Sequence, residues 1–216
     1  MTTIQLPSLR IVLADDHTIV RMGFRLLIEG AGATVVAEAD SGEAALKAWN
    51  EHQPDVLVMD VSMPGIGGLA ALERLLAHHP AARVLMLSAH DDTLIPARAL
   101  QAGATGYLSK RAHPDTLLRA IADVAEGRRH LDPELAPKLA LARLGGGGHP
   151  AETLTSKEFS IFLQLARGQS VNEVAATLNL SSSTVGTHLY HIKQKLNASN
   201  AAELALIAVR AGLVET

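Results

Sequence analysis

The chain has 216 residues and not one cysteine. This excludes a disulfide framework, a thiolate zinc site and a cysteine nucleophile. No apolar run approaches the roughly 18 residues that a membrane-spanning helix requires. Residues 1–10 lack the cationic and apolar stretches of a secretory signal. A soluble, cytoplasmic protein with no membrane partner is therefore expected. Positive charge is also scarce, the formal net charge being −3. Residues 151–216 hold five Lys/Arg and five Asp/Glu, so the excess of acid lies entirely in the first part. Should the last part bind nucleic acid, its non-specific attraction should be modest, because that term scales with the cations that neutralise phosphates.

What the first part does contain is a series of short apolar runs alternating with helical periodicity. The pattern predicts strand 10–14, helix 17–29, strand 34–39, helix 41–52 and strand 56–60. It continues with helix 67–78, strand 83–88, helix 93–102, strand 106–109 and helix 114–126. Five βα units of this kind make an α/β, doubly wound, five-stranded parallel sheet with both faces covered. Asp40 is expected to cap the second helix, with Glu43 closing a capping box. Pro114 suits the first turn of the fifth helix, where its missing N–H costs nothing. Pro96 requires the fourth helix to begin at Thr93 or later, because deeper in a helix it would remove a hydrogen bond.

Five residues stand directly after these runs: Asp15 and Asp16, then Asp60, Ser88 and Lys110. In a doubly wound sheet, ligands bind outside the carboxyl ends of the strands, so the five should converge although far apart in sequence. Three carboxylates, a hydroxyl and an ammonium at one edge suit a hard divalent cation and a phosphoryl group. Taken singly, each has a plainer role, as a turn, a cap or a solvated lysine. It is the ordered set that points to chemistry.

Asp15-Asp16, the run Met59-Asp60-Val61-Ser62-Met63-Pro64-Gly65, Ser88-Ala89, and Gly103 to Lys110 together resemble a bacterial response-regulator receiver domain, over residues 1–127. The resemblance implies that Asp60 accepts a phosphoryl group from a sensor histidine kinase. It implies that Asp15, Asp16, Asp60 and the backbone carbonyl of Ser62 hold Mg²⁺. Lys110 would give a cation to a phosphoryl oxygen and Ser88 a hydroxyl hydrogen bond, while Tyr107 would change rotamer as Ser88 moves. The chain would not be an enzyme toward other molecules, and would only accept the phosphoryl group and hydrolyse its own aspartyl-phosphate. Many receivers have proline after the lysine; here Arg111 follows it, so the peptide should be trans.

Residues 128–152 read as a linker. A helix is expected to start near Asp132-Pro133, and Gly145-Gly146-Gly147-Gly148-His149-Pro150 as a flexible run. Residues 153–216 then show four helix starts: capping boxes at Thr155/Glu158 and Ser170/Glu173, and caps at Ser181 and Asn200. The second and third of these helices are separated by helix-turn-helix spacing. Leu154-Thr155…Glu158, Gly168…Asn172-Glu173-Val174-Ala175 and Thr184-Val185…His188…Ile192…Lys195-Leu196 resemble the LuxR-type DNA-binding domain of NarL/FixJ-type regulators.

On the third helix Val185, Leu189, Ile192 and Leu196 form the buried stripe, with His188 beside it on the core side. Ser183, Thr187, Tyr190 and Gln194 form the opposite stripe, suited to a major groove. Ser182, Thr184, Gly186 and His191 complete the expected DNA-facing set, with Lys193 and Lys195 on phosphates. Gly186 and Ala201 stand where such domains usually carry lysine and arginine, which weakens the expected affinity. Leu204, Ile207 and Ala208, with Leu213, make a last stripe that fits either a dimer contact or the lid of the core.

The resulting expectation is a DNA-binding regulator of a two-component system, dimeric when phosphorylated, acting on promoter DNA and with RNA polymerase as a further partner. One alternative keeps the switch but acts through protein contacts with weak or lost DNA binding. A phosphatase that forms an aspartyl-phosphate would carry a second Asp two residues after the nucleophile. Ser62 occupies that place.

Overall fold

The computed structural model describes residues 4–6, 8–89, 93–144, 153–211 and 213–214. The chain folds as two compact units. The Gly-rich run 145–150, expected as a flexible connector, lies outside the described residues.

The first unit runs β1 (Arg10–Ala14), α1 (Thr18–Gly30), β2 (Thr34–Ala39), α2 (Gly42–His52), β3 (Val56–Asp60), α3 (Gly67–His78) and β4 (Val84–Ser88). It continues with α4 (Leu94–Gln101), β5 (Gly106–Ser109), α5 (Pro114–Ala125), β6 (His130–Leu131) and the start of α6 (Leu135–Leu144), a helix whose residues from Ala140 on belong to the second unit. The strands pair in the order β2-β1-β3-β4-β5-β6, every pair parallel. Every residue of β3 and β4 is buried. That is why these two strands read as unbroken apolar runs rather than as an alternating pattern. Ile11, Leu13, Val58, Leu85, Leu87 and Leu108 share one core cluster with Ile28 of α1 and with Leu117, Ile121 and Val124 of α5. The alternate residues Val12, Leu57, Met59, Met86 and Tyr107, equally buried, belong to the opposite face.

Two local expectations are corrected. The sheet has six strands, not five, because the first residues of the expected linker add β6 beside β5. A strand of two residues carries no periodicity, so only pairing with a preformed edge defines it. The second helix is capped by Ser41, whose side chain accepts from the Ala44 N–H at 3.3 Å, and not by Asp40. Glu43 is thereby freed from any capping box. Its carboxylate reaches the loop after β3 and accepts from the Ile66 N–H at 3.1 and 3.2 Å. Gly65 in that loop sits at φ +76°, and a Cβ there would lie 2.0 Å from the Glu43 carboxylate. Pro96 falls in the first turn of α4, where a proline is tolerated. Among the described residues there is no cis peptide bond, so Lys110-Arg111 is trans.

Beyond α6 the second unit consists of α7 (Ser156–Ala166), α8 (Val171–Thr177), α9 (Ser182–Leu196) and α10 (Ala201–Arg210). Both expected capping boxes are formed, Thr155 with Glu158 and Ser170 with Glu173. Ser181 and Asn200 cap α9 and α10. Phe159, Ile161, Phe162, Val174, Val185, Ile192 and Leu196 are buried. Leu204, Ala208 and Leu213 are buried too, and α10 packs on α7. Leu204, Ala208 and Leu213 of the last stripe thus cover the core, while Ile207 is only half-buried. No helix among the described residues is long and apolar enough to cross a membrane.

Candidate functional site

The carboxyl ends of β1, β3, β4 and β5 deliver Asp15, Asp60, Ser88 and Lys110 to one edge. Asp15, Asp60 and Ser88 are essentially fully buried. The Lys110 ammonium stands between two of the carboxylates, its Nζ 2.7 Å from Asp15 Oδ2 and 2.7 Å from Asp60 Oδ2. Its backbone N–H donates to the Ser88 carbonyl at 2.7 Å, which fixes where β5 leaves the sheet relative to β4. The Ser62 N–H donates to Asp60 Oδ1 at 3.1 Å. Gly68 lets the start of α3 run close against the end of β3, since a Cβ there would lie 2.1 Å from the Asp60 carbonyl oxygen.

Burial pushes the Asp60 carboxyl above its ordinary pKa, a shift that Lys110 and the Ser62 N–H offset only in part. Burial pulls the Lys110 ammonium down, but its two carboxylate partners outweigh that and leave it raised. The two rises have different causes: burial disfavours the charged form of Asp60, whereas the neighbouring carboxylates favour the charged form of Lys110.

Asp16 is partly exposed, with His17 Nδ1 2.9 Å from its Oδ1. The ligand atoms of Asp15, Asp16, His17 and Asp60 lie within 4.8 Å of one another. Ser62 Oγ is buried with no hydrogen-bond partner among the described residues. A cluster of carboxylate oxygens fits a hard divalent cation, which takes oxygen ligands. His17 was not anticipated from the sequence, although it directly follows the acidic pair. Tyr107 is fully buried and paired in register with Met86 of β4.

On α9 the structure separates the expected DNA-facing residues into two groups. Ser183, Thr187, Tyr190, His191 and Gln194 are exposed. Tyr190 is 62% exposed, with the His191 ring set edge-on at 5.8 Å. The others are engaged locally or recessed, although Ser182 and Lys195 are also exposed and the Thr187 hydroxyl likewise donates locally, to the Ser183 carbonyl at 3.1 Å. Ser182 Oγ donates to Asn172 Oδ1 of α8 at 2.8 Å, Thr184 Oγ1 pairs with Ser181 Oγ at 2.8 Å, and Gly186 is half-buried. Lys193 Nζ donates to the Ser199 carbonyl at 3.2 Å. Lys195 does not project as a free cation: its Nζ lies 2.6 Å from Oε2 of the buried Glu158 on α7. Spacing put Lys195 near the exposed stripe but could not show that a carboxylate on another helix lay within its reach. His188 is half-buried, its pKa lowered by burial and by Lys157.

Comparison with known proteins matches both parts of the chain to families. Residues 11–122 match the response regulator receiver domain, and residues 152–208 match bacterial regulatory proteins of the luxR family. The response regulator GacA of Pseudomonas viridiflava is 41% identical over 210 residues, covering 96% of this chain and 98% of that protein. The response regulator UvrY of Escherichia coli is 39% identical over 208 residues, covering 95% of each. Among solved structures, RcsB of Salmonella enterica serovar Typhimurium, bound to a promoter in the presence of the phosphomimetic BeF3−, is 27% identical. Its TM-score is 0.68, over 93% of this chain and 98% of that one. A LuxR-family two-component response regulator from Aurantimonas is 40% identical with a TM-score of 0.61, over 63% of this chain and 99% of that one. With the acidic edge on the sheet of the first unit and a helix-turn-helix unit following it in sequence, the chain belongs to the two-component response regulators that join a receiver to a LuxR-type DNA-binding domain.

Proposed function

We propose that Asp60 is the phosphoacceptor and that its phosphorylation by a partner histidine kinase governs DNA binding by the second unit. The observation that carries this reading is the bridging of Asp60 and Asp15 by Lys110 at 2.7 Å each, in a buried site at the strand ends. In the transfer, a carboxylate oxygen of Asp60 attacks phosphorus, forming a P–O bond as the P–N bond to the donor's imidazole breaks. The electron pair stays on that nitrogen, which takes up a proton. Asp15, Asp16, Asp60 and the Ser62 carbonyl would hold Mg²⁺, which when bound neutralises phosphate charge beside the carboxylates.

Phosphorylation of Asp60 requires Lys110 to leave Asp60 Oδ2 and meet a phosphoryl oxygen. Ser88, at the end of β4, then donates its hydroxyl to another, and Tyr107 on the neighbouring strand responds. Hydrolysis of the acyl-phosphate by water would return the switch. On this reading the chain does no chemistry on other substrates.

Double-stranded promoter DNA is the proposed partner of α9, with Ser183, Thr187, Tyr190, His191 and Gln194 facing the groove. Lys193 and Lys195 are occupied within the unit, so the affinity of one copy should be weak and a phosphorylation-driven homodimer should supply the rest. RNA polymerase is a further proposed partner, and the cytoplasm the proposed location. Regulation through protein contacts alone, with DNA binding lost, is the alternative that this low cation count keeps in play. Acetyl phosphate with Mg²⁺ tests the first step: the wild-type chain should label and Asp60→Asn should not. Labelling that survives Asp60→Asn would place the acceptor elsewhere. A gel shift with promoter DNA before and after phosphorylation tests the second.

A further inference from the structure

Asp132 is a buried carboxylate that the phosphoryl site does not use, only 5% exposed and directly after β6. Among the described residues no Lys or Arg pairs with it. Two backbone N–H groups hold its carboxylate instead. Its Oδ2 accepts from the Ser109 N–H at 3.1 Å and its Oδ1 from the Glu134 N–H at 2.9 Å. Its own N–H donates to the Tyr107 carbonyl at 3.0 Å, and its carbonyl accepts from Leu135 and Ala136 in the first turn of α6. A helix-capping Asp needs only the bond to Glu134 and can make it in water. Burying the charge is costly unless other donors meet it. The second bond, across to the end of β5, is thus the feature that capping does not account for.

Ser109 directly precedes Lys110, whose own N–H is tied to the Ser88 carbonyl. We infer that Asp132 is a positioning residue for Lys110, clamping the end of β5 to the first turn of α6 and so linking the lysine's position to the start of the interdomain helix. The inference rests on the reading of Asp60 as phosphoacceptor. Movement of Lys110 toward a phosphoryl oxygen displaces the chain at Ser109, and the Asp132 carboxylate transmits that displacement to Glu134. A charged acceptor suits this role, because its bonds are shorter and stronger than those of a neutral one.

The test uses the full-length chain with acetyl phosphate, comparing Asp132→Ala and Asp132→Asn with the wild type. Asp132→Ala should lower the labelling rate by about tenfold, the rate equivalent of roughly 1.4 kcal/mol. Its Mg²⁺ affinity without phosphodonor should stay at the wild-type value, since Asp15, Asp16 and Asp60 keep their places. Amide exchange should accelerate together at Ser109 and Glu134. Asp132→Asn, which keeps the shape and one acceptor oxygen, should restore part of the rate. Wild-type labelling by Asp132→Ala overturns the inference. So does a fall in Mg²⁺ affinity parallel to the fall in rate, which would make Asp132 a general prop of the fold. The labelling of Asp60→Asn judges the phosphoacceptor reading separately, while exchange at Ser109 and Glu134 judges the clamp.

Discussion

Replacing Lys195 by methionine keeps the aliphatic stem and removes the charge, and so decides between two roles for one residue. In the structure Glu158 Oε2 accepts from Lys195 Nζ at 2.6 Å, from the Thr155 N–H at 2.8 Å and from the Thr155 hydroxyl at 3.0 Å. Losing the lysine leaves two donors on a buried carboxylate. A hydrogen bond to a charged group contributes about 1.5–3 kcal/mol. The Lys195 side chain is 36% exposed, so solvent screening brings the expected loss down to about 1 kcal/mol. In a unit of this size that lowers the melting temperature by roughly 4–8 °C. Calorimetry of the full chain should show the shift in the second unit, with faster amide exchange along α7 as the local readout.

The pH dependence has a definite sign. Burial alone would raise the Glu158 carboxyl, but its bonds from Lys195 and Thr155 prevail and hold it below the usual glutamate range. A carboxyl held low in the folded state stabilises the fold above its unfolded pKa, about 4.3, and loses that contribution as pH falls through the folded value. The penalty of Lys195→Met should be complete at pH 7 and fade below about pH 4. The salt dependence of DNA binding should stay as in the wild type. Unchanged stability together with a salt slope reduced by about 0.9 would put Lys195 on a phosphate and sink the assignment.

Gly186→Lys should strengthen DNA binding and steepen its slope of log K against log salt by about 0.9 per bound unit. Beyond its own helical turn, no atom of the described residues stands within 4 Å of an added Cβ at Gly186, so the side chain can be accommodated. An unaltered slope in a salt titration would mean that this turn of α9 faces away from the backbone. Beryllofluoride with Mg²⁺ should raise the dimer fraction in a sedimentation series, because only a ligand that distinguishes two receiver states can shift their balance. Equal masses across the series would remove dimerisation as the output. Gly68→Ala should cost about 1–3 kcal/mol in chemical denaturation, the usual range for overpacking, because its Cβ would be forced against the Asp60 carbonyl. Denaturation followed by Trp49 fluorescence reports the first unit alone, and a wild-type midpoint there would refute the contact.

The parallel sheet and its site were legible in the sequence for one physical reason. Strands buried on both faces must be apolar along their whole length, so Val56–Met59 and Val84–Leu87 announce themselves, and the polar residue that ends each run marks the sheet edge. The starts of α7 and α8 were equally plain, because a capping box is local chemistry within four residues. Tertiary structure alone decided whatever depends on a partner distant in the chain. His130 and Leu131 became a strand only because β5 offered them an unpaired edge. Glu43 left its own helix to hold Ile66, and Lys195 was taken up by Glu158 of another helix. Asp132, which reads as a simple helix start, was carried by β6 to the backbone of Ser109. Local sequence fixes which groups a segment can offer, and the packed fold decides which of them meet, since hydrogen bonds form only at the short distances that folding creates.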